Sequence, residues 1–266
     1  EKTLVILVSY SGSTEETISA LLDALARNAK IFIVASGGKL LEIAKEKGLD
    51  HFAIDPKFNP SDMPRLGLGY SITSIFALLS RLKLINFGQS DIDQIGFTLE
   101  RLTNTFGKKS LVKDNPAKQI VEKFKDRSIV LISANHLVGT AHAIKNMLNE
   151  NSKAFAVSFD LPELNHHLLE GLSLPKDFKD KSVFIFLNSE LYPAIIKKRI
   201  TITRNLFERL GFQTITVRPE SDHPTLQAFE CLYFGEFVSY YLAISSHIDP
   251  GPIPSVDYFK RELLRL

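Results

Sequence analysis

The sequence predicts an α/β protein built from two doubly wound layers with mainly parallel sheets. Three features carry this. Short runs of β-branched residues and leucine, such as Leu4-Val5-Ile6-Leu7-Val8 and Val183-Phe184-Ile185-Phe186-Leu187, are the pattern of strands buried on both faces. Each run leads into a segment with helical spacing of apolar residues, so strands and helices alternate. The 266 residues, 44% apolar and 23% charged, suffice for one large or two ordinary domains.

The first strand, Leu4 to Val8, is followed by a turn over Ser9 to Ser13. Thr14 to Ala26 then places Ile18, Leu21, Leu22 and Leu25 on one side of a helix. Ile31 to Ala35 is a second strand. Gly37-Gly38 turns the chain into a helix through Leu40, Leu41, Ile43 and Ala44 that stops at Gly48, and His51 to Ile54 is a short third strand. A loop with Pro56, Pro60 and Pro64 leads to a helix over Gly69 to Leu84, and a polar helix follows over Asp91 to Thr103. Residues 104–116, with Gly107, Lys108, Lys109 and Asn115-Pro116, read as a linker between a domain of residues 1–105 and one of residues 115–266.

In the second domain Ile129 to Ser133, Ala154 to Ser158, Val183 to Leu187 and Thr214 to Val217 are strands. His136 to Leu148 and Ile195 to Leu210 are helices, a long apolar helix spans Thr225 to Ser245, and a last helix ends the chain. Cys231 and the aromatic residues Phe229, Phe234, Phe237, Tyr240 and Tyr241 mark the long helix as buried. Leu4 to Ser9 is the counterpart of Val183 to Asn188, since each leads to a helix and a further strand. The second domain has a strand–helix–strand unit before that point, Ile129 to Ser158, and the first does not. The first domain is therefore expected to be truncated at its N-terminus.

Composition narrows the function classes. Lysine plus arginine is 32 against 30 aspartate plus glutamate, which leaves no basic field for nucleic acid and no polybasic patch for a membrane surface. A single cysteine excludes a disulfide framework and a thiolate cluster and fits a reducing compartment, so a cytoplasmic location is expected. No apolar run reaches membrane-spanning length, and no signal-peptide pattern opens the sequence. Gly37-Gly38 lacks the glycine order of a dinucleotide site. The adjacent His166 and His167 lack the spacing of a helical metal site. Neither a metal nor another cofactor is expected.

The segment Ser9-Tyr10-Ser11-Gly12-Ser13-Thr14-Glu15-Glu16-Thr17 joins a buried strand to a helix start. Ser13 and Glu16 have capping-box spacing, and Gly12 permits a sharp turn. Hydroxyls at Ser9, Ser11, Ser13 and Thr14 around the first amides of a helix suit a phosphate dianion, although an ordinary serine-rich cap has the same composition.

Val8 to Thr17 resembles the phosphosugar-binding signature of SIS (sugar isomerase) domains. Further stretches resemble one branch of that family, the bifunctional phosphoglucose/phosphomannose isomerases. They are Ser36 to Leu40, Met63-Pro64-Arg65, Lys145 to Lys153, Leu161 to His167, and the closing stretch from Gly235 to Lys260. They cover nearly the whole chain in the same order.

The resemblance implies two SIS-type αβα sandwich domains and a cofactor-independent isomerase. Glucose 6-phosphate, mannose 6-phosphate or both would be interconverted with fructose 6-phosphate through an enediolate. It places Ser9, Ser11 and Thr14 at the phosphate, Glu150 as the shuttling base and Arg65 at the enediolate. It places His166 and Lys260 at ring opening, with His166 reaching the other subunit of a homodimer. The chemistry fits these residue types: histidine titrates near neutrality and a guanidinium keeps its charge.

This chain departs from the pattern in three places. The family's first glycine-rich strand-turn has no counterpart before Leu4, Ala143 stands where many members carry arginine, and Ile253 stands where relatives accepting both epimers have threonine. Two alternatives remain, a non-catalytic phosphosugar sensor and an SIS isomerase for another sugar phosphate. Retention of Glu150, His166 and Lys260 argues against the first, and the Asn149-Glu150-Asn151 and Pro162-Glu163-Leu164-Asn165-His166 stretches argue against the second.

Overall fold

The continuous apolar runs form parallel strands in the computed structural model, which describes residues 2–263 and Arg265. The first run is β1 (Leu4–Val8), followed by α1 (Glu15–Ala26), β2 (Lys30–Ala35), α2 (Gly38–Lys47) and β3 (Asp50–Ala53). The strands pair in the order β1-β2-β3, with Leu4 opposite Lys30 and Phe32 opposite Asp50. Leu7, Ile33, Ala35, Leu21, Leu40 and Ala44 pack together as the core. Gly48 ends α2 in the left-handed region at φ 65°, a conformation glycine adopts without steric cost. The next helix, α3 (Leu68–Arg81), stops three residues before the expected Leu84, and α4 follows over Gln89–Phe106.

The chain divides into two compact units, Glu1–Asp91 and Ile92–Leu266. Residues 92–105, grouped with the first half on sequence grounds, belong to the second unit. The reason lies in the side chains of α4. Leu102 and Phe106 enter the second unit's core, Phe106 sits edge-on to Phe234 at 5.4 Å, and Arg101 Nη2 reaches the buried Glu230 Oε1 at 3.1 Å. The linker reading also misses a helix, α5 (Pro116–Val121). Asn115 accepts a hydrogen bond from the Lys118 amide at 3.1 Å, and Pro116 takes the first helical position. Asn115-Pro116 is thus a helix start and not a flexible joint.

The second unit continues with β4 (Ser128–Ala134), α6 (Val138–Asn151), β5 (Ala156–Leu161), β6 (Ser182–Leu187), α7 (Ala194–Arg209), β7 (Gln213–Val217), α8 (Pro224–Ser245) and α9 (Pro254–Leu263). Its sheet runs β5-β4-β6-β7, all parallel. The β6 strand lies inside its sheet, between β4 and β7, whereas its counterpart β1 lies at an edge. Phe184, Phe186, Phe207 and Phe212 stack edge to face in the core under α7. No helix among the described residues is long and apolar enough to cross a membrane.

The α8 helix packs on α6. A Cβ added to Gly235 would lie 2.4 Å from Ile144 Cγ1, so the missing side chain sets how close the two helices come. Next to Gly235, Glu236 has its carboxyl pushed by burial from the ordinary 4.5 to about 7. The unfolded chain loses this proton near pH 4.5 and the folded chain keeps it to about pH 7. Stability should therefore fall as pH rises across that window, by up to about 3 kcal/mol, and then level off. Glu236→Gln should abolish this component in denaturant titrations between pH 4 and 8. An unchanged pH dependence in the variant would contradict the assignment.

Candidate active site

The first unit builds a hydroxyl-rich turn at the carboxyl end of β1. Ser9 Oγ and Thr14 Oγ1 are hydrogen-bonded at 2.7 Å, the Gly12 amide donates to Ser9 Oγ at 3.2 Å, and the Ser13 amide donates to Ser11 Oγ at 3.3 Å. The expected capping box does not form. Thr14 is the N-cap of α1, and no side chain caps the helix, because its hydroxyl is committed to Ser9. The turn is backed by Gly37-Gly38. Gly12 has φ 68°, and a Cβ there would stand 1.8 Å from the Gly37 carbonyl oxygen. A Cβ on Gly38, at φ 64°, would stand 2.4 Å from Ser13 Oγ. Gly38 and the Gly37 carbonyl therefore fit closely against the first loop, a role that the missing dinucleotide pattern did not reveal.

A buried chain of polar contacts joins this turn to Arg65. Tyr10, between Ser9 and Ser11, points into the interior beside Val34 and Ile54. Its hydroxyl accepts from Asn59 Nδ2 at 2.9 Å, and the same Nδ2 donates to the Met63 carbonyl at 3.0 Å. Ser61 Oγ donates to Asn59 Oδ1 at 2.6 Å and fixes the amide's orientation. Pro64, next along, opens the 3₁₀ turn Pro64–Leu66 that carries Arg65. Arg65 is only 7% exposed and directs Nη2 at Met63 Sδ, 3.0 Å away. A guanidinium this buried needs polar partners, since an unpaired charge is costly to desolvate. Asn59 went unnoticed in the sequence; its only signal was its place before Pro60.

In the second unit, Glu150 occupies the last turn of α6 and is half-buried. The asparagines on either side hold the backbone in different directions. Asn149 Nδ2 donates to the Ala156 carbonyl at 2.9 Å and Asn149 Oδ1 accepts from the Ala156 amide, which clamps α6 to the start of β5. The buried Asn151 Nδ2 donates to Ser239 Oγ on α8 at 2.9 Å. The Asn-Glu-Asn order thus has a physical meaning: the two asparagines anchor the backbone on either side of the glutamate.

The remaining candidates stand apart from these contacts. His166 ends the 3₁₀ turn Glu163–His166, is exposed, and has no hydrogen-bond partner among the described residues. Its neighbour His167 is held by Glu163 Oε2 at 2.8 Å and lies against the Phe159 ring. Lys260 lies on α9, a helix none of whose residues is buried. Among the described residues no group of three or more histidine, cysteine, aspartate or glutamate side chains could hold a metal ion. Cys231 is buried in α8, and burial pushes its thiol up to about 12, so it is protonated at neutral pH.

A profile of the bacterial phospho-glucose isomerase C-terminal SIS domain matches residues 113–263, and the chain belongs to this family. It is 31% identical over 270 residues to the bifunctional phosphoglucose/phosphomannose isomerase of Caldicellulosiruptor bescii, a match spanning 100% of this chain and 77% of that one. It is 29% identical over 260 residues to the protein of the same name from Aquifex aeolicus, across 98% of this chain and 76% of that one. The fold is also similar to that of tagatose-6-phosphate ketose/aldose isomerase from Escherichia coli. That likeness has a TM-score of 0.71 at 15% identity and covers 94% of this chain and 71% of that one.

The Tyr10–Asn59 contact should be energetically real. In a double-mutant cycle with Tyr10→Phe and Asn59→Ala, denaturation should report a coupling of about 1 kcal/mol. Additive losses would mean the hydrogen bond does not join the turn to the Arg65 loop.

Proposed function

We propose that this protein is an aldose–ketose isomerase that interconverts glucose 6-phosphate, mannose 6-phosphate or both with fructose 6-phosphate. The observation that carries this reading is Glu150, held between two clamped asparagines in the family's own Asn-Glu-Asn order. The reaction moves one proton between adjacent carbons. A carboxylate fixed in direction can take it from one carbon and return it to the other, and the intermediate is a cis-enediolate. In this reading Ser9, Ser11 and Thr14 supply hydroxyl donors to the phosphate, with the uncapped amides of α1 behind them. Arg65, which cannot lose its charge, offsets the negative charge of the enediolate. His166 and Lys260 open the sugar ring. In this reading the working form is a cytoplasmic homodimer in which the exposed His166 serves the second subunit. The names and identities of the relatives support the isomerase class.

A coupled assay tests this on the purified chain. The parent should convert fructose 6-phosphate to glucose 6-phosphate or mannose 6-phosphate, and Glu150→Gln should lower kcat by about 10²–10⁴-fold while sugar phosphate still binds. Equal turnover by parent and variant would remove Glu150 from its role. Binding without turnover by the parent would establish the sensor reading instead. Comparing the two aldoses shows how Ile253, in the place of the family's threonine, affects the C2 epimers.

A further inference from the structure

Lys153 lies three residues beyond Glu150, at the point where the chain leaves α6 in a left-handed conformation, φ 54°. That turn sends its side chain back along the helix end. Nζ donates to the Glu150 carbonyl at 2.7 Å and to the Asn151 carbonyl at 3.3 Å. It also donates to the Asp249 carbonyl at 3.1 Å, with the Pro250 carbonyl at 3.5 Å. The last carbonyls of a helix lack intrahelical donors, and a cation there is favoured by the helix dipole. An ammonium carries three donors around a point charge and can serve acceptors converging from several directions. Here it serves two segments at once: the residue proposed as the base, and the turn after α8 that leads into α9 and Lys260. That turn has its own brace, the Gly251 amide donating to Asp249 Oδ1 at 2.9 Å.

We propose that Lys153 is a positioning residue for catalysis. It ties the peptide of Glu150 to the Asp249–Pro250 turn and so fixes the direction of the base. The inference rests on the reading of Glu150 as the base. It is separable from ordinary stability, because the end of α6 has three other supports. Asn149 is clamped to Ala156, Asn151 to Ser239, and Ser152 Oγ donates to the Leu148 carbonyl at 2.6 Å. Those contacts hold the helix without Lys153. Lys153 adds a link from the Glu150 carbonyl to the 249–250 turn. An arginine would not replace it, since a planar fork cannot meet carbonyls arriving from both sides of one nitrogen.

The test uses the full chain in the coupled fructose 6-phosphate assay, with parent, Glu150→Gln, Lys153→Met and Lys153→Ala compared. Lys153→Met should melt within a few degrees of the parent and keep KM within about twofold, while kcat falls about 10–100-fold, as expected for a misdirected group. Butylammonium added to Lys153→Ala should restore part of kcat and leave Glu150→Gln unchanged. Parental kcat in Lys153→Met, or a loss that follows melting temperature with no amine rescue, overturns the positioning role. If Glu150→Gln is impaired while Lys153→Met is not, only the positioning role fails. Full activity in Glu150→Gln, or no turnover by the parent, removes the base reading and this inference with it.

Discussion

The packing of α6 against α8 is the constraint from which the second unit's chemistry follows. The two helices run in the same direction, as three contacts show: His136 in the turn just before α6 with Gln227 Oε1, Ile144 beside Gly235, and Asn151 with Ser239. Close approach needs the missing side chain of Gly235. Registration needs the buried polar pairs, because an unpaired amide inside this interface would cost a few kcal/mol. Glu150 then emerges where α6 ends, between one asparagine facing the sheet and another facing α8. On a frayed helix end the backbone carrying this residue would move; here it is anchored on both sides.

The first unit solves a different problem with similar economy. Hydroxyls that would ordinarily cap α1 are engaged with one another within the turn, and the first amides of the helix are left without a side-chain cap. Two loops meet backbone to backbone because Gly12 and Gly38 carry no Cβ. Tyr10 sends its ring into the interior between the buried Ser9 and the exposed Ser11, and Asn59 passes that anchor to the Arg65 turn. Arginine burial and hydroxyl placement are thereby parts of one local arrangement.

Much of this was legible in the residues. Parallel strands announced themselves as unbroken apolar runs, since both faces of β4 and β6 are covered, and Gly48 marked a helix end because few other residues adopt its backbone angles. Other features depend on tertiary contacts and left weak traces. Asn115-Pro116 looked like a linker because cap and first-turn residues share their composition with loops. The affiliation of α4 was set by Leu102 and Phe106 meeting α8, more than 120 residues away in sequence. Ser13 and Glu16 had the right spacing for a capping box, but the competing Ser9–Thr14 hydrogen bond could not be seen from spacing alone. Glu150, Arg65 and the hydroxyl turn were singled out through motif order, whereas Asn59 and Lys153 reach backbone carbonyls, contacts that no pattern of residue types displays.

The central claim is that a proton, taken and returned by Glu150, moves through an enediolate. Proton NMR of the aldose 6-phosphate formed from fructose 6-phosphate in deuterium oxide tests it most directly. The account predicts that deuterium enters at C2 of the aldose during turnover, because a carboxyl group exchanges its proton with solvent between removal and return. An aldose formed at full rate with only protium at C2 would point to direct hydride transfer between the carbons and would contradict it.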